Sequence, residues 1–400
     1  MIFLLYTINM ELEVQRYLRA KSLPQLNEEF AIKYKFSKKY PNLVLLSYSS
    51  DSPMEEVICQ ESRGLILDVN DDWKIVSMAF KAFFNVGNSN APHLNWNDVR
   101  VYTKHDGTLI SLYRYNNEWL VSTTGGTDAS GLVSVHDRNS NIKNSDITFA
   151  DLFWQVFRER GYKLPTNPEI EHGQMRYTYM FELETPMNRI VVDHKENNLT
   201  LLGARDLNTL QEINPEPIAE YFGWDCVKTW DLKDVQSMKS YLDDLDTVSM
   251  EGFVIVDSEW NRLKLKSEKY VLLHHVVGGL SKKSMVDIIL KREEEECRPI
   301  FKEVSNLFEE MLEAVERLKE YLEAEYLKYK DIKDQKEFAE ALKNHEYCRI
   351  FYIARNSKIT PSQALYKSNK RSTFINYIEP WLPKNFDTLV EKQLKGENNG

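Results

Sequence analysis

Four hundred residues and a mass of 47.0 kDa leave room for two domains, each with its own core. A composition of 42% hydrophobic and 12% aromatic residues excludes a disordered chain. The net charge of −10 excludes a generic nucleic-acid coat, so any contact with nucleic acid must use a local basic surface.

Cys59, Cys226, Cys297 and Cys348 stand far apart and form no Cys-x-x-Cys pair. This pattern predicts a reduced, cytoplasmic protein without a zinc site or disulfide framework. The opening MIFLLYTINM is apolar but short and carries no basic leader, so it reads as a first strand rather than a signal peptide. No run approaches transmembrane length, and no membrane partner is expected.

In chain order, residues 11–19 read as a helix and residues 43–48 as a strand ending at Tyr48. Next comes Gln60-Glu61-Ser62-Arg63-Gly64-Leu65-Ile66-Leu67, an arginine and glycine directly before an apolar strand. Taken alone, Arg63 reads as a surface salt bridge. Residues 73–84 follow and end in Lys81-Ala82-Phe83-Phe84-Asn85. Adjacent phenylalanines on a strand face opposite sides, so one packs in the core and the other is free to line a pocket.

Tyr102-Thr103-Lys104-His105-Asp106-Gly107-Thr108-Leu109-Ile110 reads as a strand, a tight turn and a second strand, and predicts a hairpin. Gly107 is expected to supply a backbone conformation that a Cβ resists. The turn points a lysine amine to where a phosphate can approach the backbone. A strand at residues 119–124 ends in Gly125 and Gly126, and the polar run 126–147 reads as a mobile loop. Residues 149–160 show an amphipathic helix with Phe149, Leu152, Phe153, Val156 and Phe157 on one face. A connector with Pro165 and Pro168 follows.

Glu182 and Glu184 lie two apart on a strand and therefore share a face; the plain reading is a solvent-facing edge. Residues 199–205 form another strand, and 221–245 turn helical in their second half. Glu251-Gly252 opens the strand 250–256. In Leu263-Lys264-Leu265-Lys266 the leucines face the core and the lysines share the other face. Two such lysines repel each other unless something anionic lies between them, which hints at phosphate; an exposed strand would also tolerate them.

The ordered set ESRGLIL, FFN, KHDGTL, FELETPMNRIV, LLGARD, EGFVIV and LKLKSEKYV spans roughly residues 43–275. It resembles the covalent nucleotidyltransferases, and within them the phage-type ATP-dependent RNA ligases of the RNA ligase 1 branch. No single motif is specific, but the order is.

The resemblance implies an α+β fold. An antiparallel β-rich nucleotidyltransferase domain (ATP-grasp-like ligase) over residues 1–280 would precede an all-α domain over 281–400. It implies that Lys104 attacks the α-phosphate of ATP and forms lysyl-AMP. Arg63 and Glu182 would hold the nucleotide, Glu251 would help bind Mg2+ or Mn2+, and Lys264 and Lys266 would contact the α-phosphate. Tyr48 and Tyr270 match family tyrosines of less defined role. The partner implied is RNA with 5′-phosphate and 3′-hydroxyl ends, with repair of cleaved tRNA as context and the host cytoplasm as location for a phage-encoded chain.

Elementary chemistry agrees. A lysine nucleophile must be neutral, whereas an ordinary lysine titrates near about 10.4. Neighbouring cations favour the neutral amine and stabilise charge on a phosphate in transit. The histidines, including His105, His274 and His275, lack metal-ligand spacing and read as structural.

Two positions depart from the family pattern. Ala82 stands where a lysine precedes Phe-Phe-Asn, with Lys81 one place early, and Thr124 stands where some members carry a basic residue. A one-residue shift on a strand turns a side chain to the other face.

From about residue 280 the chain becomes helical and rich in Glu and Lys. Val304, Phe308, Met311, Val315, Leu318 and Leu322 form one apolar stripe that predicts packing against a neighbouring helix. Thr360-Pro361 opens a further helix. Arg349, Tyr352, Arg355, Lys358, Tyr366, Lys367, Lys370 and Arg371 form a basic and aromatic cluster that is a candidate RNA contact. Glu293–Glu296 reads as a solvated helix face, and the last dozen residues as frayed. A DNA ligase or a GTP-using capping-type enzyme is the enzymatic alternative. A non-catalytic RNA-binding protein on the same fold is the alternative from another class.

Overall fold

The computed structural model describes residues 11–136, 142–166, 176–245, 249–271, 282–290, 294, 306–367 and 371–388. Expectations about the opening segment, Pro168, His274, His275, Glu293, Glu295, Glu296, Cys297, Val304, Lys370 and the last dozen residues lie outside that set, as does the side chain of Arg371. Contacts divide the chain into two compact units, Met1–Tyr270 and Val271–Gly400.

The first unit is mixed α/β and its sheets are almost wholly antiparallel. Helices α1 (Glu13–Ala20) and α2 (Leu23–Phe30) lead into a sheet of order β1-β2-β3-β4. Its strands are Lys33–Phe36, Leu43–Ser47, Arg63–Asp68 and Lys74–Ser77, with the short helix α3 (Val57–Glu61) before β3. Ser22 caps α2 by accepting from the Gln25 N–H, with a proline in the first turn. Leu18, Leu26, Val44, Leu46, Leu65 and Leu67 fill the space between these helices and the sheet. Each such side chain contributes about 1.5–3 kcal/mol on burial.

Two five-stranded sheets follow. The first has the order β13-β12-β11-β7-β8, from Glu212–Ile213, Asn198–Asp206, Tyr177–Glu184, Thr108–Tyr115 and Glu118–Ser122. The second has the order β14-β6-β15-β16-β5, from Thr229–Trp230, Arg100–Lys104, Gly252–Val256, Arg262–Lys266 and Phe84–Asn85. Among the described strands only β5 runs parallel to its neighbour.

The Lys104 segment is therefore not a hairpin. Strand β6 pairs with β14 and β15, while β7 pairs with β11 and β8, so the turn carries the chain from one sheet to the other. Alternating apolar residues announce two strands but not whom they pair with. Gly107 also differs from expectation, because it is not among the left-handed residues. What it supplies is room: a Cβ there would collide with the Leu183 carbonyl oxygen and lie 2.9 Å from Glu184 Cγ.

The polar run 126–147 contains a hairpin rather than a loop alone. Strand β9 (Leu132–His136) pairs with β10 (Ile142–Thr148). Val133 is fully buried beside Ala129 and the helix α4 (Phe149–Glu159), and that burial holds the hairpin against its polar composition. Helix α4 starts at a reciprocal Thr148–Asp151 cap and buries Leu152, Phe153, Val156 and Phe157 against β11 and β12.

In the second unit, the helix Leu307–Tyr326 buries Phe308, Met311, Val315, Leu318 and Leu322, as the stripe predicts. It packs against the helix Pro361–Lys367, which follows Thr360. In the basic cluster, Arg355 donates to the Ile332 and Lys333 carbonyls and lies 4.2 Å over the Phe338 ring, and Tyr366 is buried. Among the described residues no helix is long and apolar enough to cross a membrane.

Candidate active site

Strand β15 lies between β6 and β16, and its first residue, Gly252, stands opposite both Lys104 and Lys266. The residue before it, Glu251, is buried and reaches both lysines. One carboxylate oxygen pairs with Lys104 Nζ, and the other lies 3.7 Å from Lys266 Nζ. Backbone bonds fix the carboxylate's base: Glu251 N–H donates to the Lys104 carbonyl at 3.1 Å, and Ser267 N–H donates to the Glu251 carbonyl at 2.8 Å. Gly252 has φ +153°, and a Cβ would collide with the Leu265 carbonyl oxygen. Three neighbouring strands thus set lysine, carboxylate and lysine in a row.

Lys264 lies two residues before Lys266 on the same half-buried face, while Leu263 and Leu265 enter the core as expected. The lysine pair therefore sits on a strand flanked on both sides, by β15 and β5, rather than on an open edge.

The far side of the Lys104 turn belongs to β11. Glu182 and Glu184 are not on a solvent-facing edge: β11 is flanked by β7 and β12, and both carboxylates are buried. Glu182 accepts the Gly107 N–H at 3.1 Å. Burial pushes its pKa up to about 7, with the Lys104 and His105 charges opposing that rise. Glu184 accepts from His105 Nδ1 at 2.8 Å, and its other oxygen lies 3.7 Å from His194 Nε2. Burial pulls the His105 imidazole down, but the hydrogen bond and charge of Glu184, with the Glu182 charge, outweigh it and leave the pKa raised.

Asp106, 1% exposed, fastens the turn. It accepts from the Val191 N–H at 2.8 Å, the Val192 N–H at 2.6 Å and the Tyr270 hydroxyl at 2.7 Å. Burial, reinforced by the Glu251 and Asp106 charges, pushes the Tyr270 hydroxyl far up, so it remains a donor. Asn188 ties the same loop down by donating to the Leu183 carbonyl at 2.7 Å and to Thr108 Oγ1 at 3.1 Å. The Asn-Arg-Ile-Val run thus serves as a clamp on the turn.

Arg63 opens β3 of the four-stranded sheet, and Tyr48 directly follows its β2. Arg63 Nη1 donates to the Phe80 carbonyl at 3.5 Å, and its guanidinium lies 5.7 Å from the Phe83 ring centre. Its contacts are with this aromatic segment, not with the surface salt bridge that an isolated arginine suggests. Gly64 has φ +74°, and a Cβ there would lie 2.9 Å from Thr124 Cα. Tyr48 is exposed, and its N–H donates to the Ser62 carbonyl.

Lys81 pairs with the buried Glu61 at 3.3 Å, so its charge is directed at α3. Burial raises the Glu61 pKa, and the Lys81 charge works against that rise.

The residues missed in sequence are Asp106, Asn188, Glu184, His105 and His194. Asp106 and Asn188 do lie inside the quoted motifs; the hydrogen-bond partners of Asp106 are 85 or more positions away and could not be read locally.

A divalent cation here would depend on Glu251. Among the described residues no group of three or more His, Cys, Asp or Glu could hold a metal ion. One carboxylate fits an ion that keeps most of its shell as water and substrate phosphate, as magnesium does. Both Glu251 oxygens already face lysines, so such an ion would share an oxygen with one of them.

A family model described as RNA ligase matches residues 61–270, just over half of the chain. A protein of Autographa californica nuclear polyhedrosis virus, named as a bifunctional polynucleotide kinase/RNA ligase, is 29% identical over 281 residues, covering 66% of this chain and 38% of that protein. An RNA ligase of Rhodothermus phage RM378 is 25% identical over 308 residues, covering 64% of this chain and 69% of that one. Among solved structures, an archaeal ATP-dependent RNA ligase aligns over 90% of this chain and 77% of its own, with 10% identity and a TM-score of 0.41. A Naegleria gruberi RNA ligase variant with ATP and manganese aligns over 44% of this chain and 51% of its own, with 15% identity and a TM-score of 0.31.

Proposed function

Because this chain belongs to the phage-type RNA ligase family, we propose that it joins RNA ends with ATP through an AMP carried on Lys104. The observation that supports this most is the row Lys104, Glu251, Lys266 across β6, β15 and β16. A lysine held against a buried carboxylate, with a second lysine beside it, suits attack on a phosphate.

In the first step Lys104 Nζ bonds to the α-phosphorus of ATP as the bond to pyrophosphate breaks. Glu251, already hydrogen-bonded to that amine, is placed to take the proton that Nζ must lose. Lys264 and Lys266 balance the negative charge on the phosphate in flight. An oxygen of the RNA 5′-phosphate then bonds to the AMP phosphorus and releases Lys104. Finally the 3′-hydroxyl bonds to the 5′-phosphate and AMP leaves. Glu251 would also offer an oxygen to Mg2+ or Mn2+, whose charge would polarise the phosphate. Arg63 and Glu182 are assigned to the nucleotide, and Tyr48 to its surroundings.

Glu182 has a second task in this reading. By accepting the Gly107 N–H, it fixes the turn that aims Lys104. The domain over residues 1–280 is assigned the adenylyl chemistry, and the helical part after it the choice of RNA, with cleaved tRNA as the family-derived context.

The test is a 5′-labelled, 5′-phosphorylated RNA strand incubated with the chain, ATP and magnesium. Formation of a 5′-adenylylated strand and then a sealed product supports the proposal. Turnover with GTP alone would favour a capping-type enzyme, and sealing of DNA but not RNA a DNA ligase. RNA binding with no covalent product under any of these conditions would favour a non-catalytic binding protein.

A further inference from the structure

The first sheet carries a feature that the chemistry above does not use. Strand β1 lies at its edge and, among the described residues, pairs only with β2. All four of its residues, Lys33, Tyr34, Lys35 and Phe36, are exposed. Tyr34 and Phe36 keep 38% and 43% of their surface, although they stand opposite Leu46 and Val44, which are completely buried. Their rings lie 6.4 Å apart at 83°. The two rings thus form an exposed aromatic pair on the edge strand.

The other face is basic. Residues 33–39 read Lys-Tyr-Lys-Phe-Ser-Lys-Lys, four lysines and no acid in a chain of net charge −10. Lys39 is paired with Glu118, and Lys33 lies within electrostatic range of Asp51. Lys35 reaches toward the turn at 123–126, with Nζ 3.9 Å from where a Cβ on Gly126 would stand. That turn is joined back to the sheet: Ser47 Oγ donates to the Thr124 carbonyl at 3.0 Å, and Thr124 packs on Gly64, next to Arg63. The lysine face is thus continuous with the strand that carries Arg63.

We propose that β1 is a docking surface for single-stranded RNA, with Lys33 and Lys35 meeting phosphates and Tyr34 and Phe36 stacking on bases. This rests on the RNA ligase reading above and adds to it where the substrate lies. The combination selects the ligand. A single strand offers both a phosphate chain and free base faces, whereas a duplex hides its bases. A protein strand added to the same edge would cover the rings but supply charge to Lys33 and Lys35 only if it carried acids at those positions, whereas every nucleotide of RNA carries a phosphate.

The test compares the full chain with Lys33→Ala/Lys35→Ala and Tyr34→Ala/Phe36→Ala. Lysyl-AMP formation without RNA checks that each variant folds and that the ligase premise holds, because none of these residues belongs to the nucleotide set. The lysine variant is expected to bind a 5′-phosphorylated RNA oligonucleotide at least about five-fold more weakly, with a salt slope shallower by about 1.4 for two lost phosphate contacts. The aromatic variant is expected to lose about ten-fold or more in binding with the salt slope unchanged. Variants that form lysyl-AMP and bind RNA as the wild type does would overturn the docking surface and leave the ligase reading standing. So would a change confined to the sedimentation behaviour of the protein, which would assign the edge to a second copy. A wild type that forms no lysyl-AMP would instead strike the premise.

Discussion

The two sheets that meet at the Lys104 turn solve opposite electrostatic problems. The β6-β15-β16 side sets two lysines, Lys104 and Lys266, against one carboxylate, Glu251, with Lys264 further along β16. The β7-β11 side gathers two carboxylates, Glu182 and Glu184, and shields them with backbone N–H and imidazole groups. On the cationic side Lys104 and Lys266 flank Glu251, the arrangement proposed above to meet a phosphate. The acidic side is neutralised from within, by a raised Glu182 pKa and the His105 contact. In the proposed reading one side receives the ligand, and the other holds the turn still. A single buried network joins them: Glu212 of β13 accepts from Arg205 of β12 and from Arg262 of β16.

The largest effect is expected on the cationic side. Glu251→Gln removes the carboxylate proposed as proton acceptor beside Lys104, and lysyl-AMP formation should fall by about 10²-fold or more, well beyond what the loss of counter-charge for Lys104 and Lys266 costs the fold. An equal loss of activity and fold would show that Glu251 serves structure alone. On the joining network, Glu212→Ala leaves two buried arginines without their counter-charge. Chemical denaturation should register a loss of about 3–5 kcal/mol; a loss below about 1 kcal/mol would mean that the sheets do not depend on it.

The acidic side should show itself in pH. Glu182 titrates near 7 when folded against 4.5 as its ordinary value, and His105 is likewise raised from 6.5. A raised folded pKa favours the protonated fold, so these groups contribute fully below their ordinary values and lose that contribution as pH rises through the folded ones. Stability attributable to Glu182 should fall between pH 4.5 and about 7, by at most about 3 kcal/mol. Glu182→Gln should flatten that part of the profile of melting temperature against pH. A profile that keeps its slope in the variant would contradict the assignment. The smallest effect is expected at Lys81, whose partner is Glu61. Lys81→Met should cost roughly 1 kcal/mol or less and leave lysyl-AMP formation within about two-fold. A collapse of activity would place Lys81 at the nucleotide after all.

These contrasts mark how far the sequence could be read. Motif order was enough to single out Lys104, Glu251 and Lys266, which the structure brings together, and strand alternation puts Lys264 and Lys266 on one face whatever lies opposite. It was not enough to see that β6 and β7 part into different sheets, since β6 pairs with Gly252–Val256 and β7 with Tyr177–Glu184, strands far along the chain that local alternation does not reveal. The glutamates at 182 and 184 looked like a wet edge because charge usually means exposure. Their burial is made tolerable by Gly107, His105 and His194, residues from other segments. The hairpin β9-β10 hid behind a polar composition, because among its described side chains the burial signal rests on Val133, with Ile147 partly buried beside the same core. Lys81 shows the reverse case: its displacement from the family position was visible in sequence, and the structure supplies its partner.

The most direct measurement is incubation of the purified chain with magnesium and α-labelled ATP beside a Lys104→Ala control, followed by denaturation and detection of label on the protein. Label on the wild type and none on the variant is the predicted result, and peptide mapping should place it on Lys104. Label that persists in the variant would move the nucleophile elsewhere. No label on well-folded wild type, with ATP and GTP both tried, would contradict covalent nucleotidyl transfer by this chain.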